Sequence, residues 1–295
     1  MKNVLGKVLR CALGSGLTAL CACSSSFDGT FSSVSVAPEG PYAADASPDS
    51  TLPLDSGTED SAEGGDAPDA PPCTPVVDGL VAHFTMDVAS ISGTRLADSS
   101  GNHSDGTLVG FLPPETAPGR FGDALVYPAT AMAYVEMPAL ALDESAGAMN
   151  TVSLWFYRGA SGVDDVLALL PDSPRYDLWL TGATGNYLCI NTGHNECVGV
   201  EDDNLLSRWV HVVAIFANGS TTGSALYIDG QNRNAACIAD AGFSACDVTS
   251  AVAAPVYFGG KSDFFFHGML DEVRVYSRAL DATDVSVLYS GTACP

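Results

Sequence analysis

In the run Thr151-Val152-Ser153-Leu154-Trp155-Phe156-Tyr157, an extended backbone would put Val152, Leu154 and Phe156 on one face. A period of two is what a half-buried β-strand requires. Runs of this kind recur at 80–84, 124–127, 134–137, 176–180, 209–216, 225–228, 256–258 and 270–276. The dipeptides Asn218-Gly219 and Asp229-Gly230 sit beside strand runs and tolerate the backbone angles of tight turns. Only 281–288 reads as helical. The pattern predicts an all-β chain, a two-sheet antiparallel sandwich formed by one domain over 73–295.

Ahead of that domain the composition changes twice. Lys2, Lys7 and Arg10 precede a stretch of apolar and small residues, 11–22, that is too short to span a bilayer. This is the pattern of a cleaved export signal over 1–22. The run Leu20-Cys21-Ala22-Cys23 resembles a lipobox, in which the cysteine after a small residue is acylated and becomes the mature N-terminus. Cys23 is therefore the expected lipidation site, an ordinary cleaved signal being the alternative. Ser24 beside it resembles the sorting signal that sends bacterial lipoproteins to an outer membrane. An exported, envelope-anchored chain is expected.

Residues 23–72 are rich in Ser, Pro, Asp, Ala and Gly and contain no Lys or Arg. Such a segment buries too little apolar surface to offset its ordering entropy, so a disordered acidic tether is expected. The whole chain has a formal charge of −23, with 12 basic and 35 acidic residues. That field repels nucleic acid and anionic headgroups, which excludes nucleic-acid binding and leaves the lipid anchor as the membrane contact.

Nine cysteines are present. With Cys11 and Cys21 in the signal and Cys23 acylated, the rest form an even set in an oxidising compartment. Six cysteines allow fifteen pairings, and spacing suggests one of them. Cys189–Cys197 and Cys237–Cys246 would each strap a short loop, and Cys73–Cys294 would join the domain's ends. A zinc site is the competing reading, but no Cys-x-x-Cys pair supports it.

Several segments occur in an order that resembles the laminin G-like, concanavalin A-like jelly-roll family of bacterial surface proteins. They are Leu80-Val81-Ala82-His83-Phe84, Asp98-Ser99-Ser100-Gly101-Asn102, Pro118-Gly119-Arg120-Phe121-Gly122 and Leu226-Tyr227-Ile228-Asp229-Gly230. The closing one is Phe266-His267-Gly268-Met269-Leu270-Asp271-Glu272-Val273-Arg274-Val275-Tyr276. The resemblance implies a jelly roll and a module that binds carbohydrate, glycoconjugate or protein. It also implies a structural Ca2+ between the segment after the first strand and the last strand. Asp98, Asn102, the Gly106 carbonyl and Asp271 are its expected ligands, with Asp105 and Glu272 beside them. These are hard oxygen donors of the kind calcium takes. A plain polar turn is the alternative at 98–102.

Sugars stack on aromatic faces beside polar groups, which singles out Arg175, Tyr176, Trp179 and Tyr187. Trp179 would share its face with Asp177 rather than with Leu178 and Leu180. Trp155, Trp179 and Trp209 lie in strand-like runs, where packing residues are the alternative reading, and Phe264-Phe265-Phe266 cannot all point the same way. Catalysis is not expected. The alternating Glu-x-Asp-x-x-Glu strand of related glycosidases is absent, and Asp164-Asp165 and Glu201-Asp202-Asp203 read as solvated loops. His83, His194, His211 and His267 have no nucleophile in a recognisable motif. The expected partner is a glycan or glycoprotein. A protein-adhesion or structural envelope module is the alternative, and a polysaccharide-active enzyme the third reading.

Overall fold

The computed structural model describes residues 76–291 apart from 129–130, 160–164, 171–175, 181–186, 192–196, 203, 219–222, 239–254 and 262–263. They belong to the compact unit that begins at Asp66. The export signal, Cys23, the tether, Cys73, Cys246 and Cys294 lie outside the described residues.

Two antiparallel sheets form an all-β jelly roll. The eight-stranded sheet runs β15 (Gln231–Asn232), β14 (Ala225–Ile228), β13 (Trp209–Ala217), β8 (Met149–Tyr157), β20 (Gly268–Tyr276), β6 (Asp123–Tyr127) and β5 (Thr116–Pro118). Strand β1 (Leu80–Phe84) also pairs with β20. The ten-stranded sheet begins β16 (Ala236–Cys237), β12 (Val198–Glu201), β11 (Tyr187–Asn191), β10 (Tyr176–Leu180) and β9 (Asp165–Leu170). It continues β17 (Pro255–Phe258), β7 (Tyr134–Ala139), β4 (Gly106–Val109), β3 (Arg95–Leu96) and β2 (Ile91–Ser92). A two-stranded ribbon, β18 (Gly260–Lys261) and β19 (Phe264–Phe265), accompanies them.

The core lies between the sheets. Val152, Leu154 and Phe156 of β8 meet it with Val210, Val212, Ala214 and Phe216 of β13. Leu178, Leu180, Leu188, Ile190, Val256, Phe258, Val135 and Met137 supply the facing layer. The alternation legible in each run therefore sets which side faces inward. Phe266 is buried against Tyr127 and Phe156, whereas Phe265 lies beside Tyr134, so these two consecutive phenylalanines part company.

One expectation changes. Strand β8 is not half-buried: Thr151, Ser153 and Trp155, on its other face, are buried as well. The cover is α1 (Ala282–Ser290), whose Val285 and Leu288 pack with Val213, Ile215, Tyr276 and Leu280. The helix survives at nine residues because its ends are satisfied. The Asp281 carboxylate accepts from the amides of Thr283 and Asp284, and the Asp284 side chain returns a contact to the Asp281 amide. Gly291 ends it in the left-handed conformation.

Replacing Asp281 by alanine removes this cap and should lower the stability of the domain. Urea denaturation of the variant beside wild type measures it; an unchanged midpoint would show that packing alone holds the helix.

Candidate functional site

Strand register places a row of rings on the outer face of the ten-stranded sheet. Leu178 and Leu180 point into the core, so Asp177 and Trp179 point outward. The same argument turns Tyr187 and Cys189 outward from β11, Tyr257 from β17, and Tyr134 and Glu136 from β7. Strands β10, β9, β17 and β7 are consecutive in the sheet although residues 181–254 intervene in sequence between β10 and β17. Trp179 and Tyr134 pack on the buried Tyr257. The Tyr134 and Tyr257 rings meet edge-on at 5.8 Å, and Phe265 adds a fourth ring 6.5 Å from Tyr134. Trp179, Tyr187, Tyr134 and Phe265 are half-buried, and Asp177 is buried. Of the sequence-predicted binding residues, Trp179 and Tyr187 thus share this face. Arg175 and the Tyr176 side chain lie outside the described residues.

A disulfide stiffens one end of the row. Cys189 and Cys197 are bonded, with Cα atoms 5.0 Å apart, and tie β11 to the start of β12. Cys189 stands opposite Trp179 on one side and Gly199 on the other. A side chain at 199 would meet the Leu188 carbonyl at 2.2 Å and the Cys197 Sγ at 3.0 Å, so glycine is what lets the bridge lie flat. Cys237 is also disulfide-bonded.

Of the expected calcium ligands, Asp98 and Asn102 are engaged in hydrogen bonds. Asp98 spends Oδ1 on the amides of His83 and Ser100, and Oδ2 on the Ser100 hydroxyl and the Ser104 amide. Burial raises its pKa, and these hydrogen bonds more than offset that, holding it below the usual carboxylate range. Asn102 donates to the carbonyls of Leu80 and Val81. Gly106 pairs with Leu96 inside the sheet. The segment 98–104 is therefore a self-satisfied polar turn. Among the described residues no group of three or more His, Cys, Asp or Glu is arranged to hold a metal ion.

Asp271 stands apart from that turn. Leu270 and Val273 both face the core with two residues between them, and the register against β8 slips there. This bulge, with Glu272 at φ 51°, re-aims both acids away from the core. Asp271 Oδ2 accepts from the Arg120 and Phe121 amides at 2.7 and 2.9 Å, while buried Oδ1 has no hydrogen-bond partner. Burial, with the charges of Glu272 and Asp87, pushes this carboxyl up to about 7 against the pull of the two amides. Asp87 Oδ1 accepts from the Asp123 amide and lies 2.3 Å from where a Cβ at Gly122 would stand. A Cβ at Gly119 would lie 2.7 Å from Asp271 Oδ2. Two glycines thus let the 119–122 turn close over two carboxylates. An orphaned buried oxygen, on a carboxylate that feels the charge of a second one, is chemistry that suits a hard cation. Asp87 carried no motif that sequence reasoning could use.

Beneath α1 lies a buried polar layer. Glu272 receives His83 Nε2 at 3.0 Å and the Arg274 guanidinium. Burial raises the Glu272 pKa, but His83 and Arg274 overcome it and hold it low. His211 Nε2 meets the Ser153 hydroxyl at 3.1 Å. Both residues are buried, so this serine–histidine pair is part of the packing rather than a reachable nucleophile. Of the acids weighed for catalysis, Asp202 pairs with Arg233 and Glu201 is exposed. Asp164, Asp203, His194 and the Asp165 side chain lie outside the described residues.

These features define a jelly-roll domain with a covered sheet on one side and an aromatic row on the other. Residues 130–286, more than half of the chain, match the concanavalin A-like lectin/glucanases superfamily, and the chain belongs to it. The comparison with curated proteins yields no match. Among solved structures, domain 4 of AbnA, an extracellular arabinanase from Geobacillus stearothermophilus, was determined with arabinotriose. It is similar at 22% identity and TM-score 0.53, over 71% of this chain and 98% of that one. A botulinum neurotoxin type C structure, whose report concerns two ganglioside molecules, matches at 11% identity and TM-score 0.52. That match covers 74% of this chain and 53% of that one. Trypanosoma rangeli sialidase with sialic acid matches at 16% identity and TM-score 0.51, over 76% of this chain and 36% of the sialidase. This chain therefore spans about half of the neurotoxin chain and about a third of the sialidase. At these identities the likeness is one of fold.

Burial, and then the charge of Arg274, lowers the His211 pKa from 6.5 to about 3. The folded value lies below the unfolded one, so this neutral histidine contributes stability above pH 6.5 that is lost as pH falls towards 3. Urea midpoints across that range should fall less steeply in His211→Gln than in wild type; parallel slopes would mean that His211 already reaches solvent.

Proposed function

We propose that the domain is a non-catalytic recognition module that binds a carbohydrate or glycoconjugate on the outer face of its ten-stranded sheet. The export signal, Cys23 and the acidic tether fit display of this module at the cell envelope, by a lipid anchor at an outer membrane. The carrying observation is the Trp179–Tyr257–Tyr134 row, with Asp177 and Glu136 on the same face. Rings offer the apolar surface that matches the C–H face of a pyranose or furanose, and the half-buried Glu136 carboxylate beside them accepts its hydroxyls. The arabinotriose complex of the AbnA domain supports an oligosaccharide as the ligand class. A net charge of −23 further suits a neutral glycan.

A structural calcium belongs to this reading, with Asp271 and Asp87 as its carboxylate ligands and backbone carbonyls or water completing the shell. The ion would neutralise two buried acids and pin the 119–122 turn to β20. Protein adhesion is the second reading. Leu112 and Met132 are 94% and 69% exposed, and Gly110 approaches the Met132 carbonyl, which brings their two loops together as an apolar tip.

A glycan array tests the first reading, using oxidised protein that starts at residue 23 with Cys23→Ser. Binding to a related set of neutral glycans is expected, weakened about tenfold by Trp179→Ala. A silent array from folded protein would overturn it and favour adhesion. For the cation, calcium should raise the melting temperature of wild type over that in EGTA, and raise it much less in Asp87→Asn. Equal melting curves for wild type with and without calcium would remove the ion from this account.

A further inference from the structure

Arg120 is the exception among the described arginines. Arg95, Arg208, Arg233, Arg274 and Arg278 each pair with a carboxylate, and Arg158 is buried. Arg120 is exposed and meets no carboxylate among the described residues, in a chain with 35 acidic residues against 12 basic ones. Its guanidinium instead lies 4.9 Å from the centre of the Trp155 ring and 5.0 Å from that of Phe121. Its backbone is fixed too, because the Arg120 and Phe121 amides both donate to Asp271. A cation held at both ends has already given up much of the rotamer freedom that binding would cost. Tyr289 of α1 also packs on Trp155, stacked at 5.7 Å and 16°, and keeps 38% of its surface exposed. His211 supports Trp155 from β13, with ring centres 4.9 Å apart.

We infer that Arg120 and Tyr289, both laid against Trp155, form a second ligand site for a carboxylate-bearing sugar of the uronic acid class. The planar guanidinium presents paired N–H donors to one carboxylate, and the Tyr289 ring takes the C–H face of the pyranose that carries it. The site lies on the eight-stranded sheet, so it is separate from the aromatic row and does not depend on it. The acidic field of the protein opposes polyanions, which selects a single uronate within a neutral glycan over an acidic peptide.

Calorimetric titration of the exported-form protein (residue 23 onward, Cys23→Ser) with methyl β-glucuronide, methyl β-glucoside and acetate tests this. The glucuronide should bind more tightly than either comparator and should change tryptophan fluorescence. Arg120→Gln should weaken it about tenfold or more, Arg120→Lys less, and Tyr289→Ala detectably. Three results would overturn the site. These are equal binding of glucuronide and glucoside, acetate binding as well as the glucuronide, and a response that follows Trp179→Ala but not Arg120→Gln. The last would leave the aromatic-row reading standing; loss of array binding alone would leave this one.

Discussion

Strand β8 is held between β13 and β20, and nearly every other feature hangs from that triplet. Its pairing with β13 runs unbroken from Met149 opposite Ala217 to Tyr157 opposite Trp209. Because the side-chain period is two, one register fixes both faces at once. Val152, Leu154 and Phe156 enter the core, and Thr151, Ser153 and Trp155 enter a second packed layer beneath α1. A slip of one residue would exchange those sets and put Ser153 into the inter-sheet core. The bulge at Asp271–Glu272 is tolerated because β8 and β1 flank β20 on either side of it. It turns a regular strand into one that reaches the 119–122 turn with one acid and the His83–Arg274 pair with the next.

What the sequence made legible follows from how local each signal is. The inward faces of β8, β10 and β13 come from alternation within five to nine residues, and so does the outward turn of Trp179. The join of Tyr134 and Tyr257 to that tryptophan is not local. It depends on β17 inserting between β9 and β7, which residues 140–254 separate from β7 in sequence. Asp98 and Asn102 look like metal ligands in sequence because a cation site and an Asx turn use the same residue types. The sequence does not reveal that the His83, Ser100 and Ser104 amides converge on Asp98, because that depends on where the backbone brings them. Asp87 and Arg120 had no sequence signal, since each acquires its surroundings from a turn and a strand far away in the chain. The cover over Trp155 was hidden for a different reason. A nine-residue helix has little intrinsic stability and is kept by its cap and its packing.

The two outer faces of the sandwich are unlike. One is sheathed by the helix and a polar layer in which Glu272, His83, Arg274, Ser153 and His211 satisfy one another. The other presents rings between acids, braced by Cys189–Cys197. On that face the rings already pack on one another, so their side chains have little rotamer freedom left to lose.

The chain enters and leaves this domain at one place. The Tyr276 hydroxyl reaches the Val76 carbonyl at 3.2 Å, the Ser277 amide meets the Gly79 carbonyl at 2.8 Å, and Arg278 bridges Asp78 and Asp284. A unit with adjoining ends behaves as a cassette. It can be spliced into a surface loop of another protein, or its ends joined and new ones cut elsewhere, at small cost in loop-closure entropy.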